Sequence, residues 1–257
     1  LAKQAADTLP LRLDLAPEAR GGLRLGVKVG QTLQGQFALA DSGEIQRGAL
    51  RLGAHASLPA LPARGGVAVA VQDERFELDP WLSLGSGDAD GAWPTLSVAL
   101  DTRQLLAQGR VLHQVKAQLQ SSHGDWEGQV SAQELAGQLH WQAGAHKLSA
   151  KLSRLNLPLS SSANEPNDTS LGRQAANLPA LDITVDALSY QQQPLGHLQL
   201  AMQPRSNGWQ LDQLWWSGPE GRARLTGMWQ RDGREGVTAL RGQFDSQDLG
   251  GLLARFN

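Results

Sequence analysis

Strict alternation of apolar and polar residues is the feature that most constrains the fold of this chain. Successive side chains of a β-strand point to opposite faces, so runs of this kind predict strands with one apolar and one polar face. The clearest runs place apolar residues at every second position: Leu11, Leu13 and Leu15; Leu23, Leu25, Val27 and Val29; Val67, Val69 and Val71; Leu96, Val98 and Leu100; Leu181, Ile183 and Val185; Leu198, Leu200 and Met202.

Turn-forming residues separate these runs. Asn-Gly and Asp-Gly pairs tolerate positive φ and are typical of hairpins, and consecutive hairpins produce an antiparallel meander. The turn signals are Asp41-Ser42-Gly43, Ser122-His123-Gly124-Asp125, Ser206-Asn207-Gly208, Gly218-Pro219-Glu220-Gly221 and Asp232-Gly233. The sequence therefore predicts an all-β fold, an elongated and curled antiparallel meander that forms an open groove or half-barrel.

Only a few segments depart from the strand pattern. Short helices are predicted at residues 102–107 and 246–256, where Leu249, Leu252 and Leu253 share one helical face. The polar residues 160–170 include a proline and lack strand-forming residues, which predicts a mobile loop.

Similar landmarks recur along the chain and indicate an internal repeat. Residues 93–101 resemble residues 178–186, because Pro94 and Pro179 each precede an alternating run, at an offset of 179 − 94 = 85. Trp126 and Trp209 each follow a turn, at an offset of 209 − 126 = 83. We interpret residues 1–257 as one continuous β segment with repeat units of about 9–92, 93–177 and 178–257.

Composition excludes several classes of function. The net charge of −2 with a pI near 6.3 offers no basic surface for nucleic acid. The absence of cysteine excludes disulfides and thiolate chemistry. No apolar run approaches the ~20 residues of a membrane-spanning helix.

Candidate catalytic and metal-binding residues do not form a recognisable constellation. None of the six histidines has a partner at the spacing usual for zinc. Glu74, Glu77 and Asp79 are candidate paired acids, but they lie beside Arg75 and fit a solvated edge better. We therefore expect a protein that is not an enzyme and that binds neither a metal nor a cofactor.

A series of motifs in the last third of the chain resembles a known family. In order, they are Leu178-Pro179-Ala180-Leu181-Asp182-Ile183-Thr184-Val185-Asp186, Leu195-Gly196-His197-Leu198-Gln199-Leu200, Asn207-Gly208-Trp209-Gln210-Leu211, Arg224-Leu225-Thr226-Gly227-Met228-Trp229 and Asp248-Leu249-Gly250-Gly251-Leu252-Leu253-Ala254. This order resembles the C-terminal region of the YhdP branch of the AsmA-like proteins, relatives of TamB. The match is best over residues 178–257.

The resemblance implies a location and a function. It implies a periplasmic section of a Gram-negative envelope protein, anchored in the inner membrane by an N-terminal helix that lies outside this chain. Its partners would be phospholipids and envelope proteins, with no cofactor. The family's long β-groove implies a bridge that shields phospholipid acyl chains as they pass between the inner and outer membranes.

The residues expected to line such a groove are the apolar members of the alternating runs. Trp215 and Trp216 are adjacent and must point to opposite faces of a strand. Leu211 shares the parity of Trp215, so Trp215 is predicted to face the groove. The predicted lining comprises Leu11, Leu13, Leu96, Val98, Leu100, Leu181, Ile183, Val185, Leu198, Leu200, Leu211 and Trp215.

Other interpretations of the same pattern stay open. The apolar face could be the dry core of a sandwich, covered by a second sheet or a helix. The chain could instead be a structural or chaperone-like envelope module that binds proteins by pairing at a sheet edge. A third hypothesis is a carbohydrate-binding β-sandwich that uses exposed tryptophans.

Overall fold

The computed structural model describes residues 9–18, 22–84, 95–107, 109–157, 179–232 and 235–247, with Gly250. Within these residues the fold is built from fifteen β-strands and one short α-helix. The chain divides into two compact units, Leu1–Gln133 (unit 1) and Glu134–Asn257 (unit 2). The prediction of an all-β fold is confirmed.

Unit 1 is a sheet whose strands neighbour one another in chain order. Helix α1 (Asp79–Leu84) lies between the fifth and sixth strands along the chain. The strands are β1 (Leu11–Pro17), β2 (Leu23–Val29), β3 (Leu33–Leu39), β4 (Ile45–Leu52), β5 (Gly66–Glu77), β6 (Leu96–Ala107), β7 (Arg110–Ser122) and β8 (Asp125–Ser131).

Unit 2 is likewise a sheet with its strands in chain order. Its strands are β9 (Leu135–Gln142), β10 (Lys147–Leu157), β11 (Ala180–Tyr190), β12 (Gln193–Arg205), β13 (Gly208–Gly218), β14 (Gly221–Asp232) and β15 (Glu235–Ser246). The described elements of this unit are all strands. The surfaces available for binding are therefore the two faces and the edges of the sheet.

Three neighbouring pairs among the described strands are parallel, whereas the predicted meander is antiparallel throughout. They are β4 with β5, β5 with β6, and β10 with β11. Parallel neighbours need a connection long enough to return to the same end of the sheet, and a tight hairpin cannot supply it. Residues 53–65, 78–95 and 158–179 are the connections at these three places.

Neither of the two predicted helices is confirmed. The helix predicted at residues 102–107 is wrong, because these residues continue β6 and pair with β5 on one side and with β7 on the other. The two ladders outweigh the helical propensity of Gln104, Leu105 and Leu106. Most of the candidate at 246–256, and the whole predicted loop at 160–170, lie outside the described residues. No helix in the described part is long and apolar enough to cross a membrane.

The strand register repeats between the two units. Val98, Leu100 and Thr102 on β6 pair with Leu119, Ala117 and Val115. On β11, Leu181, Ile183 and Val185 pair with Met202, Leu200 and Leu198. The offset is 181 − 98 = 83 on one strand and 202 − 119 = 83 on its partner. The division into three repeat units stays a prediction, since its boundaries fall within units 1 and 2.

Arg51 holds the connection that follows β4. Its Nη1 donates to the carbonyl oxygens of Gly53 (3.2 Å), Ala54 (3.4 Å) and Ala56 (3.3 Å), and its Nε donates to Gln34 Oε1 (2.9 Å). A guanidinium offers several donors in a fixed plane, which suits this set of acceptors. Residues 53–56 are therefore tied to the sheet face that carries Arg51.

Replacing Arg51 with alanine is expected to lower the free energy of unfolding by about 1–2 kcal/mol, because several backbone acceptors lose their donor. Arg51→Lys should restore little of this, since one ammonium cannot reproduce the planar fork. Urea denaturation measures both variants. Arg12→Ala is the control, because Arg12 forms an exposed ion pair with Asp14 on its own strand. A urea midpoint of Arg51→Ala equal to that of Arg12→Ala would contradict a stabilising role for the Arg51 hydrogen bonds.

Candidate binding face

One row of side chains crosses all seven strands of unit 2 without a polar group. Residues directly paired across a sheet lie on the same face. The row contains Leu139, Ala150, Ile183, Leu200, Leu214, Leu225 and Gly242. We call the face that carries this row the apolar face of unit 2.

The adjacent row, one residue along each strand, lies on the opposite face. It contains Gln138, Lys151, Thr184, Gln199, Trp215, Arg224 and Gln243. We call this face the polar face of unit 2. Ion pairs between neighbouring strands also lie here, such as Lys147 with Asp182 at 2.9 Å and Arg222 with Asp245 at 3.8 Å. Charged groups thus stay in water while the other face remains apolar.

The apolar face of unit 2 has a buried centre and an exposed margin. Ala150, Leu152, Val185, Leu188 and Leu195 form a buried cluster on β10, β11 and β12. Val185 is 0% exposed at its centre. On β15, in contrast, Leu240 is 56% and Phe244 47% exposed. Within the described residues of unit 2 no second layer lies over this margin.

Aromatic rings cover part of this apolar face near β13. Trp216 stacks on Phe244 with ring centroids 6.3 Å apart, and Ala223 on β14 lies between them in register. The Trp216 Nε1–H donates to the Leu195 carbonyl at 2.7 Å. Because that polar group has a partner, the indole ring adds only apolar surface.

Trp215 is a correction to the sequence prediction. It pairs with Gln199 and therefore lies on the polar face, whereas Trp216 pairs with Leu198 on the apolar face. The cause is a β-bulge between Leu211 and Leu214, which places two residues of β13 opposite one on β14. The bulge inverts the alternation, so counting parity from Leu211 selects the wrong tryptophan.

Unit 1 carries an equivalent apolar row across its eight strands. The row contains Leu13, Val27, Gly35, Leu50, Val69, Val98, Leu119 and Gly128. The Phe37 ring lies over two glycines of this face, since a Cβ added at Gly35 or Gly48 would lie 2.8 Å from it. The neighbouring row contains Arg12, Lys28, Gln34, Arg51, Ala70, Ala99, Gln118 and Gln129.

The margin of unit 1 at β1 is the most exposed part of its apolar face. Leu11, Leu13 and Leu15 are 62%, 61% and 63% exposed. They follow one another at every second position, with Arg12 and Asp14 on the opposite face. An apolar stripe in contact with water at a sheet margin is a surface that an apolar ligand could cover.

Eleven of the twelve residues predicted to line a groove lie on the apolar faces. Leu11, Leu13, Leu96, Val98 and Leu100 do so in unit 1, and Leu181, Ile183, Val185, Leu198, Leu200 and Leu211 do so in unit 2. Their role in binding a ligand stays a prediction. Leu214 and Trp216 also lie on the apolar face of unit 2. The sequence prediction missed them, although they occupy alternate positions of the same strand.

Two of the three candidate acids form ion pairs at the surface, and the third, Asp79, begins helix α1. Glu74 pairs with Arg103 at 3.4 Å, and Glu77 pairs with Arg75 at 3.3 Å. These four side chains are largely exposed, as expected of a solvated edge. Across the described ranges, no three His, Asp or Glu side chains come together in a way that could hold a metal ion.

Comparison with known proteins identifies a family. No curated protein and no solved structure matches the chain significantly. A family model described as "YhdP protein" matches residues 1–257, which is the whole of the sequence. That family is a non-enzymatic family of the bacterial envelope. The two-faced sheets described above thus belong to a chain that is a member of the YhdP family.

Proposed function

We propose that the apolar faces shield phospholipid acyl chains, and that this chain is a section of a bridge that transfers phospholipid between the inner and outer membranes. The bridge would cross the periplasm of a Gram-negative bacterium, held in the inner membrane by an N-terminal anchor outside this chain. The process is not enzymatic and needs no cofactor. Membership of the YhdP family supports this assignment.

The observation that carries the proposal is the unbroken apolar row in each unit. An acyl chain has no hydrogen-bonding group, so a site for it needs continuous apolar surface and no fixed polar contact. The row from Leu139 to Gly242 meets this condition on every strand of unit 2. A lipid could pass from strand to strand without meeting a charged side chain in that row.

The available driving force is sufficient for binding. Each methylene group removed from water contributes about 0.8 kcal/mol. An acyl chain that buries about half of its methylenes against the exposed margins would therefore gain several kcal/mol. The exposed Leu240 and Phe244 in unit 2, and Leu11, Leu13 and Leu15 in unit 1, offer the free apolar surface for it.

Lipid extraction from the purified protein tests the proposal. We expect native mass spectrometry to detect bound phospholipid, and organic extraction to release it in proportion to protein. The protein should also take up a fluorescent phospholipid from vesicles. A protein that is purified without lipid and acquires none from vesicles would contradict the proposal.

Sheet-edge pairing is the second candidate function, and β15 favours it. This edge strand pairs with β14 on one side, and no described strand pairs with its other side. Val237, Leu240 and Phe244 are 55%, 56% and 47% exposed on it. Such an edge can accept a strand from another protein. This function would be favoured if the lipid-free protein bound a partner and Thr238→Pro abolished that binding.

A further inference from the structure

The polar face of unit 2 carries one feature that lipid binding does not use. Trp141, Trp209, Trp216 and Trp229 belong to the rows of the apolar face. Trp215 is the tryptophan that the described part of this unit places on the polar face, between Gln199 on β12 and Arg224 on β14. A partly exposed indole among polar side chains has no core to pack into.

A network of polar side chains surrounds this indole. The His197 ring meets Trp215 edge to face, with ring centroids 5.2 Å apart. Asp186 Oδ1 lies 3.8 Å from His197 Nδ1 on one side. On the other, Gln199 Nε2 lies 3.3 Å from His197 Nε2, and Gln213 Nε2 donates to Gln199 Oε1 at 3.5 Å. The indole thus contacts an imidazole, and that imidazole is linked to a carboxylate and, through Gln199, to a second amide.

This combination has the chemistry of a sugar site. A pyranose ring has an apolar C–H face that can stack on an indole, while its rim of hydroxyl groups both donates and accepts hydrogen bonds. Carboxylate, imidazole, amide and guanidinium groups together supply both kinds of partner. The opposite charges of Asp186 and Arg224 offset each other, which favours a neutral ligand over a charged one. The polar surroundings disfavour an acyl chain.

We propose that Trp215, with Asp186, His197, Gln199 and Arg224, binds a neutral pyranose unit of an oligosaccharide. The site lies on the face opposite to the apolar row, and so does not depend on lipid binding. A single stacking platform on an open sheet should bind weakly, with Kd in the millimolar range. Several such contacts along a glycan would be needed for tight attachment.

Titration with defined tetrasaccharides tests this site. Chitotetraose, cellotetraose and maltotetraose would be added to the purified chain, followed by isothermal titration calorimetry and by the NMR signals of the indole Nε1–H groups. We expect binding of at least one of them, with the largest shift at the Trp215 indole. Chitotetraose alone would indicate recognition of the acetamido groups.

Variants separate recognition from folding. Trp215→Ala should weaken the affinity at least roughly tenfold, as removal of an aromatic stacking partner does. Trp215→Phe should retain part of it, and Gln199→Ala should weaken it several-fold. Met228→Ala is the matched control, because Met228 is another exposed apolar side chain of the same face and lies outside the network. No binding of any tetrasaccharide at ~10 mM, or wild-type affinity in a folded Trp215→Ala, would overturn the proposal.

Discussion

Leu200→Glu is expected to deplete the apolar face of unit 2 of phospholipid while the unit stays folded. Leu200 lies at the middle of the apolar row, paired with Ile183 on β11 and with Leu214 on β13. It is only partly buried and lies outside the buried cluster, so a carboxylate there can still reach water. With an acyl chain in place the same carboxylate would lose its hydration, which is unfavourable without a partner.

The measured quantity is the amount of phospholipid per protein, by native mass spectrometry and by uptake from vesicles. We expect a loss of phospholipid of roughly tenfold or more, while the free energy of unfolding from urea denaturation falls by only about 1 kcal/mol. Thr184→Glu is the matched control, because Thr184 lies on the polar face opposite Lys151 and Gln199. Equal lipid content in the two variants would argue against binding on the apolar face.

The six alternating runs were sufficient to predict six of the described strands, with their apolar faces: β1, β2, β5, β6, β11 and β12. The runs at Leu96, Leu181 and Leu198 begin or lie within β6, β11 and β12, and their apolar members share a face. The pattern works here because a two-faced sheet repeats every second residue. It does not report strand direction, which depends on where the long connections return.

Two local features escaped prediction because they depend on neighbours distant in the chain. The turn at Gln191 and Gln192 has positive φ at both residues and lacks glycine. It is held by β10, where Asn156 Oδ1 accepts from the Gln192 N–H at 3.1 Å and the Leu157 carbonyl accepts from the Gln191 N–H at 3.0 Å. The bulge at β13 likewise appears only in the pairing with β12 and β14, and it is the reason Trp216, not Trp215, lies on the apolar face.

Val185→Asp is expected to unfold unit 2, in contrast to Leu200→Glu. Val185 is 0% exposed and pairs with Leu152 on one side and with Leu198 on the other. A carboxylate there has no described polar side chain directly opposite it, and the neighbouring leucines shield it from water. The cost of burying such a group should reach about 4 kcal/mol or more, which is a large fraction of the stability of a domain.

Comparing Val185→Asp with an aspartate substitution at the adjacent position of β11 separates the effect of burial from the low strand propensity of aspartate. Asp182 and Asp186 already occupy the same strand, and their side chains are largely exposed. Thr184→Asp should therefore cost little, whereas Val185→Asp one position further should lower the urea midpoint strongly or abolish the transition. If both aspartates were tolerated, the cluster around Val185 would be accessible to water and would not be a core. If Val185→Asp unfolds the unit and Leu200→Glu only removes lipid, the apolar face contains both a structural core around Val185 and a ligand-binding surface that includes Leu200.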